Sequence, residues 1–242
     1  IRRQRQMCIR DRNRRALIAA MMQEVTDYGY DGINIDFEKV NSETGIHFVQ
    51  FLRELSIECR KAGIVLSVDN YVPMPHSAHY DRAEQGAVVD YVIVMGYDEH
   101  YNGSEEAGSV ASLDFVRNGI VNTLASVPAQ KLINALPFYT RMWDEYTDED
   151  GKAVMVSKAY TMKGSYDRVE ELGLAINWSD TMGQYVAEGD VEGHHYSVWL
   201  ENADSIREKM KIVAEYSIAG VSGWSLGGEF PEVWEVIAEY NK

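Results

Sequence analysis

Apolar runs are short throughout these 242 residues. None approaches the ~20 consecutive apolar residues of a bilayer-spanning helix, which excludes a helical transmembrane protein. Cysteine is almost missing: Cys8 and Cys59 are too few for a disulfide scaffold and do not identify a redox compartment. The 5 prolines and 19 glycines form no fibrous or low-complexity pattern, and a hydrophobic content of 45% is too high for a disordered chain. No glycine-rich phosphate loop of either common type occurs. Positive charge is scarce as well, with 23 Lys and Arg against 38 Asp and Glu, a net of −15. Seven arginines (Arg2, Arg3, Arg5, Arg10, Arg12, Arg14 and Arg15) crowd the first 15 residues beside one acid, Asp11. The remainder holds 16 basic and 37 acidic side chains, net −21. Such a body repels phosphate backbones, so no nucleic-acid partner is expected, and a neutral or cationic ligand suits it better.

The opening string IRRQRQMCIRDR has no core-forming periodicity and differs abruptly in composition from the rest of the chain. The acidic body weakens an RNA-binding arm, and the lack of serine and of an amphipathic face weakens a mitochondrial presequence. The string resembles translated adapter sequence at the end of an assembled fragment. Residues 1–13 are therefore expected to be a non-native leader, with the natural N-terminus missing.

From Arg14 onward helix and strand patterns alternate. Helices are expected at Ala16–Tyr28, Ser42–Ala62, Val110–Ser126, Ser205–Tyr216 and Pro231–Tyr240, from apolar spacings of three and four and from glycine or proline punctuation. Strands are expected at Asp31–Glu38, Ile64–Asp69, Val88–Tyr97, Lys131–Tyr139 and Gly220–Leu226. Alternation of this kind predicts an α/β fold of parallel βα units. About five units are present, whereas a closed (β/α)₈ TIM barrel needs eight and ~250 residues. The expectation is thus an N-terminally truncated barrel over residues 14–242. A small α+β insertion is expected at about 140–200, with short strands and a helix near Ser165–Leu172. Five of eight strands would leave two unpaired edges, so the chain alone is expected to aggregate or be inactive.

The octet DGINIDFE, Asp31–Glu38, is the most informative segment. Side chains two apart on a strand share a face, so Asn34, Asp36 and Glu38 line one side while Ile33, Ile35 and Phe37 line the other. Acids on an inward barrel face cost several kcal/mol to desolvate unless used or paired, and closely spaced carboxylates favour one protonated member, as a general acid requires. A solvated edge strand with its acids in water is the competing reading. Asn70 and Tyr71, ending the next strand, are expected to face the same rim.

Three other patterns are set aside. GWSLG, Gly223–Gly227, fits the G-x-S-x-G nucleophile elbow, but no histidine follows Ser225 to complete a triad in that order. His194 and His195 are adjacent and diverge on any regular element, which is poor metal geometry. The acidic stretch DEYTDEDG, Asp144–Gly151, fails the spacing of a calcium loop and reads as a solvated hairpin tip.

The octet resembles the D-G-x-D-x-D-x-E signature of glycoside hydrolase family 18, the chitinase-like (β/α)₈ enzymes, through Asp31, Gly32, Asp36 and Glu38. Asn34 stands where the signature has its first inner aspartate, which weakens the negative charge behind Asp36. This departure is shared by the branch resembling bacterial cell-wall and spore-cortex N-acetylglucosaminidases. Three further segments match in order: VIVMGYD (Met95, Tyr97, Asp98), LPFYTRMW (Tyr139, Arg141) and GVSGWSLG (Trp224). The likeness extends from about Arg14 to Lys242.

The resemblance implies retaining, substrate-assisted hydrolysis of β-1,4 bonds next to N-acetylglucosamine, in peptidoglycan or chitin-like polymers. Glu38 is implied as the acid, Asp36 as the group orienting the acetamide, and Tyr97 as a donor to the acetamide oxygen. Substrate contacts are implied for Asn34, Met95, Asp98, Tyr139, Arg141, Trp224 and Asn70, although Met95 and Asp98 fit equally as packing and strand-end residues. No metal or organic cofactor is implied. Location outside the cell, at the wall or spore surface, follows from the substrate class, with wall-binding repeats expected elsewhere in the full-length protein. A catalytically idle carbohydrate-binding member of the same fold is one competitor. Metal-assisted phosphoester hydrolysis at a barrel rim is another.

Overall fold

The computed structural model describes residues 11–240. The expected leader therefore lies outside the described residues up to position 10. In chain order the elements are α1 (Asp11–Tyr28), β1 (Gly32–Ile35), α2 (Ser42–Ala62), β2 (Val65–Tyr71), a 3-10 turn (Pro75–Tyr80), α3 (Arg82–Val88), β3 (Tyr91–Met95) and α4 (Leu113–Leu124). After a second 3-10 turn (Ala129–Lys131) come β4 (Leu132–Pro137), β5 (Tyr139–Thr147), β6 (Ala153–Thr161), α5 (Met162–Leu172), β7 (Ile176–Ser179), β8 (Gln184–Val191) and β9 (His194–Leu200). The chain then runs through α6 (Ala203–Tyr216), β10 (Gly220–Trp224) and α7 (Glu232–Glu239). Two five-stranded sheets result, in the orders β1-β2-β3-β4-β10 and β6-β5-β9-β8-β7. The α/β class expected from the alternation is present. The described residues divide into two compact units: those up to Met95 with Gly119–Ile133 and Ile218–Gly220, then Gly96–Asn118, Asn134–Ser217 and those from Val221 onward.

In the first unit β1, β2 and β3 pair in parallel. β1 approaches β2 closely because Gly32 has no side chain; a Cβ there would meet the Val65 carbonyl oxygen at 2.8 Å. Helix α2 has the bounds its pattern predicts. Its N-cap Asn41 accepts from the Thr44 N–H, and the left-handed Gly63 closes its C-terminus. The helix buries Phe48, Val49, Phe51, Leu52 and Leu55. Phe37 joins this cluster, with its ring 5.6 Å from Phe51 and 6.1 Å from Phe48. Tyr80 packs edge-on against Phe48 and donates its hydroxyl to the Phe37 carbonyl at 3.3 Å. The apolar face of the octet is thereby anchored, while Asn34, Asp36 and Glu38 on the opposite face are exposed rather than enclosed as the inward barrel face predicts, because β1 is an edge strand among the described residues.

The 3-10 turn and α3 have no apolar period to announce them. Both are held by polar contacts: Arg82 Nη2 donates to the Tyr71 carbonyl at 2.9 Å, and Gln85 Nε2 to the Tyr80 carbonyl at 2.7 Å. Arg14 of α1 forms a two-pronged pair with Glu54 of α2, at 3.0 and 2.8 Å. Hydrogen bonds from Arg14, then Gln50, hold the Glu54 carboxyl at about 2, well below its ordinary range. A depressed acid stabilises the fold above its unfolded value, and this stability is lost as pH falls toward 2. Arg14→Ala is expected to cost about 1–2 kcal/mol at neutral pH, and less in acid. Chemical denaturation at pH 7 and pH 3 measures it; an equal cost at both would show that the pair is not the cause.

The second unit holds the antiparallel sheet. The sequence predicts short strands between 140 and 200, yet β5 and β6 run nine residues each and β8 eight. Their burial does not alternate strictly. Met142, Val169, Ala187, Val198 and Leu200 form the core under α5. The acidic stretch is a hairpin tip only after Thr147, where Asp148 Oδ1 accepts from the Asp150 and Lys152 N–H groups; Asp144, Glu145 and Tyr146 are paired within β5.

Candidate active site

In the first unit the exposure pattern of the octet alternates as expected, although the regular strand ends at Ile35. Asn34, Asp36 and Glu38 are exposed, Ile35 is buried, and Phe37 is half-buried. The register sets Asn34 beside Ser67, Asp69 beside Ile93 and Tyr71 beside Met95. Side chains at paired positions of a parallel sheet share a face. A polar surface forms there. Ser67 Oγ donates to Asn34 Oδ1 at 2.7 Å, Asn34 Nδ2 donates to Asp69 Oδ2 at 2.8 Å, and the Tyr71 hydroxyl donates to Glu38 Oε2 at 3.1 Å. Burial, reinforced by the Glu38 charge, pushes the Tyr71 phenol well above its ordinary range, so it remains a donor. Immediately after Glu38 the chain turns through Lys39, in the left-handed region at φ 56°.

Asn70 corrects the expectation placed on it. It is 1% exposed, on the opposite face of β2 with Leu66 and Val68, and donates to Gln85 Oε1 at 2.6 Å. Adjacent strand residues cannot face one rim, so only Tyr71 of that pair reaches the carboxylates. Met95 is half-buried, on the face of its strand partner Tyr71. Ser67 and Asp69 belong to no motif in the sequence, although the alternation of VLSVDNY that places Tyr71 places them too.

In the second unit, Asp98, Tyr139, Arg141 and Trp224 line one cavity of about 410 Å³, together with Tyr160 and Ser225. That volume lies within the ordinary range of small-molecule sites. The Tyr139 hydroxyl donates to Asp98 Oδ1. Burial first, and then the Asp98 charge, raise the Tyr139 phenol far above its usual range. Tyr97 packs edge-on against Tyr139, with ring centroids 6.1 Å apart. Asp98 itself is left-handed, at φ 59°. Arg141 Nη1 donates to Ser157 Oγ at 3.0 Å, while its solvent-shielded Nε–H meets no acceptor among the described residues. Trp224 is 57% exposed at the end of β10 and is joined to Ser225 by a cis peptide bond. Phe138 fixes that strand end: its N–H donates to the Trp224 carbonyl at 2.6 Å, and its ring occupies the space a Gly223 side chain would need.

A second, open cavity of about 740 Å³ is lined by Tyr146, Asp190, His194 and His195 among others. The two histidines diverge, His194 toward Asp144 at 2.7 Å and His195 toward Asp190 at 2.8 Å.

The family model for glycosyl hydrolases family 18 matches residues 5–229. The chain is 32% identical over 219 residues to YdhD of Bacillus subtilis, named as a sporulation-specific glycosylase, covering 87% of this chain and 50% of that protein. It is 26% identical over 238 residues to the Bacillus subtilis cortical fragment-lytic enzyme, covering 93% of this chain and 53% of the relative. Among solved structures, the Bacillus cereus spore cortex-lytic enzyme SleL superposes with a TM-score of 0.85 at 25% identity, over 96% of this chain and 54% of SleL. The chain thus spans about half the length of these relatives.

Proposed function

The chain belongs to glycosyl hydrolases family 18, and from that membership we propose that it hydrolyses β-1,4 bonds next to N-acetylglucosamine with retention, in cell-wall or spore-cortex peptidoglycan. The observation that carries the proposal is the outward face of the octet, where Asp36 and Glu38 follow Asn34 and the Tyr71 phenol donates to Glu38. The names of YdhD and the cortical fragment-lytic enzyme support peptidoglycan as the substrate. Action at the wall or spore surface, outside the cytoplasm, is proposed on the same ground. A (β/α)₈ barrel is the architecture proposed for the complete catalytic domain.

Each residue has a chemical part. Glu38 protonates the glycosidic oxygen as the C–O bond breaks. The acetamide carbonyl oxygen of the same sugar attacks the anomeric carbon and forms an oxazolinium ion. Asp36 orients the acetamide N–H and balances the cation. Water, deprotonated by Glu38, then adds to the anomeric carbon and reopens the ring with net retention. Tyr71 donates to Glu38 throughout, which stabilises its ionised form between the two steps. For the second unit, the Tyr97 phenol is assigned to the acetamide oxygen. The exposed Trp224 indole is assigned to a pyranose face. Asp98, Tyr139 and Arg141 supply polar contacts to sugar hydroxyls.

The test is stereochemical. During hydrolysis of an N-acetylglucosamine oligosaccharide by the complete catalytic domain, followed by proton NMR, the β-anomer is expected first, and the fully de-N-acetylated oligosaccharide is expected to resist. An α-anomer appearing first, or equal turnover of the de-N-acetylated substrate, would refute substrate assistance.

A further inference from the structure

Asp69 occupies the middle of the carboxylate face, yet no step of the reaction uses it. Its Oδ2 accepts from Asn34 Nδ2 at 2.8 Å, and Asn34 Oδ1 is held in turn by Ser67 Oγ at 2.7 Å. Its Oδ1 is shut off from solvent and meets no donor among the described residues. The charges acting on it are Asp36 and Glu38, both negative; its partner on β3 is the uncharged Ile93, and Tyr71 on its own strand is committed to Glu38. A carboxylate retained for stability would be matched by a cation or a full set of donors. This one has a single amide donor and two like charges.

We propose that Asp69 is a positioning residue for the glycosidase reaction: it locks the Asn34 amide and sets a fixed negative charge beside Asp36 and Glu38, where positive charge develops on the sugar. The inference rests on the reading under Proposed function. Preorganised charge in a partly dry site stabilises a developing ion more than water would, because it need not reorient during the step. Burial first, with Asp36 and Glu38 adding to it, holds the Asp69 carboxyl up at about 6. The charge is therefore lost as pH falls through that value.

Asp69→Asn removes the charge but leaves an amide at position 69 that can still accept from Asn34. With the complete catalytic domain and a chito-oligosaccharide, for this variant and for Glu38→Gln alike, kcat of Asp69→Asn is expected to fall about tenfold at unchanged KM. The activity step near pH 6 in the wild type is expected to vanish from the variant. The double variant Asn34→Asp/Asp69→Asn returns a carboxylate to the same hydrogen bond and is expected to recover most of kcat, as a purely packing role would not. Melting supplies a readout without substrate. An acid raised in the fold binds its proton more tightly there than in the unfolded chain. Wild-type stability therefore declines, relative to Asp69→Asn, as pH rises from about 4 to about 7. Asp69→Asn should melt higher at pH 7 and alike at pH 4. A melting difference that does not change with pH overturns the inference. So does a wild-type pH profile in Asp69→Asn when Glu38→Gln is inactive, and that result leaves the glycosidase reading standing. Wild-type turnover by Glu38→Gln would instead overturn the reading itself.

Discussion

In the complete catalytic domain, Glu38→Gln is expected to lower kcat on a natural oligosaccharide by about 10²–10⁴-fold, the usual range for removing a positioned general acid, with KM and melting temperature close to wild type. Glu38 is exposed, and the Tyr71 hydroxyl donates to its Oε2 at 3.1 Å. A glutamine oxygen accepts from the same phenol, so the variant retains the shape and loses only the transferable proton. The loss should also depend on the leaving group. A sugar hydroxyl leaves poorly without a proton, whereas a nitrophenolate leaves readily. The deficit is therefore expected to be much smaller for a nitrophenyl glycoside than for a chito-oligosaccharide in the bond-breaking step. Parallel kinetics on the two substrates make the measurement. Equal losses on both would mean that Glu38 is not the proton donor to the leaving oxygen.

What the sequence disclosed and what it withheld divide along physical lines. Helix α2 was legible because its apolar spacing and its glycine stop both act over a few positions: Phe48, Phe51, Leu52 and Leu55 on one face, and Gly63 after it. That Asn34, Asp36 and Glu38 share one face was legible because a strand alternates, and Phe37 obeys that alternation by entering the aromatic cluster; that the face is exposed was not. The same rule applied to β2 selects Ser67, Asp69 and Tyr71, and excludes Asn70. Expecting Asn70 at the rim ignored the rule's two-residue step. Elements built on buried polar contacts left no apolar trace. Arg82 and Gln85 are buried yet polar, and tie α3 to the Tyr71 and Tyr80 carbonyls, so a search for apolar periods passes over them. The bond from Tyr139 to Asp98 joins residues 41 apart. The motifs named both residues without revealing that one would hold the other.

Lys209→Met is expected to be the most destabilising single change, at about 3–5 kcal/mol near pH 7, or roughly 10 °C in melting temperature for a chain of this size. Lys209 and Glu201 are both fully buried in the second unit, with Lys209 Nζ donating at 2.9 and 3.0 Å to the two carboxylate oxygens. Gln184 Nε2 and Ser205 Oγ complete the set at 2.8 and 2.6 Å, and Gln184 Oε1 accepts from Ser109 Oγ at 2.6 Å. Methionine fills the volume of the lysine stem but leaves a carboxylate in a dry interior with no counter-charge. Burial already raises the Glu201 carboxyl above its ordinary range against the pull of Lys209, Ser205 and Gln184. Without Lys209 that pull weakens, and Glu201 takes up a proton rather than remain charged. The penalty belongs to the ionised form, so it is full above the folded-state value and relieved as pH falls. The melting deficit of Lys209→Met should therefore shrink as pH is lowered from 7. Glu201→Leu/Lys209→Met removes both charges and should recover much of the loss. A residue of about 1–3 kcal/mol should remain, because the Gln184 amide loses its acceptor. A single variant that melts like wild type at pH 7 would show that the pair is worth no more than the apolar contacts replacing it. A pH-independent deficit would instead assign the loss to packing.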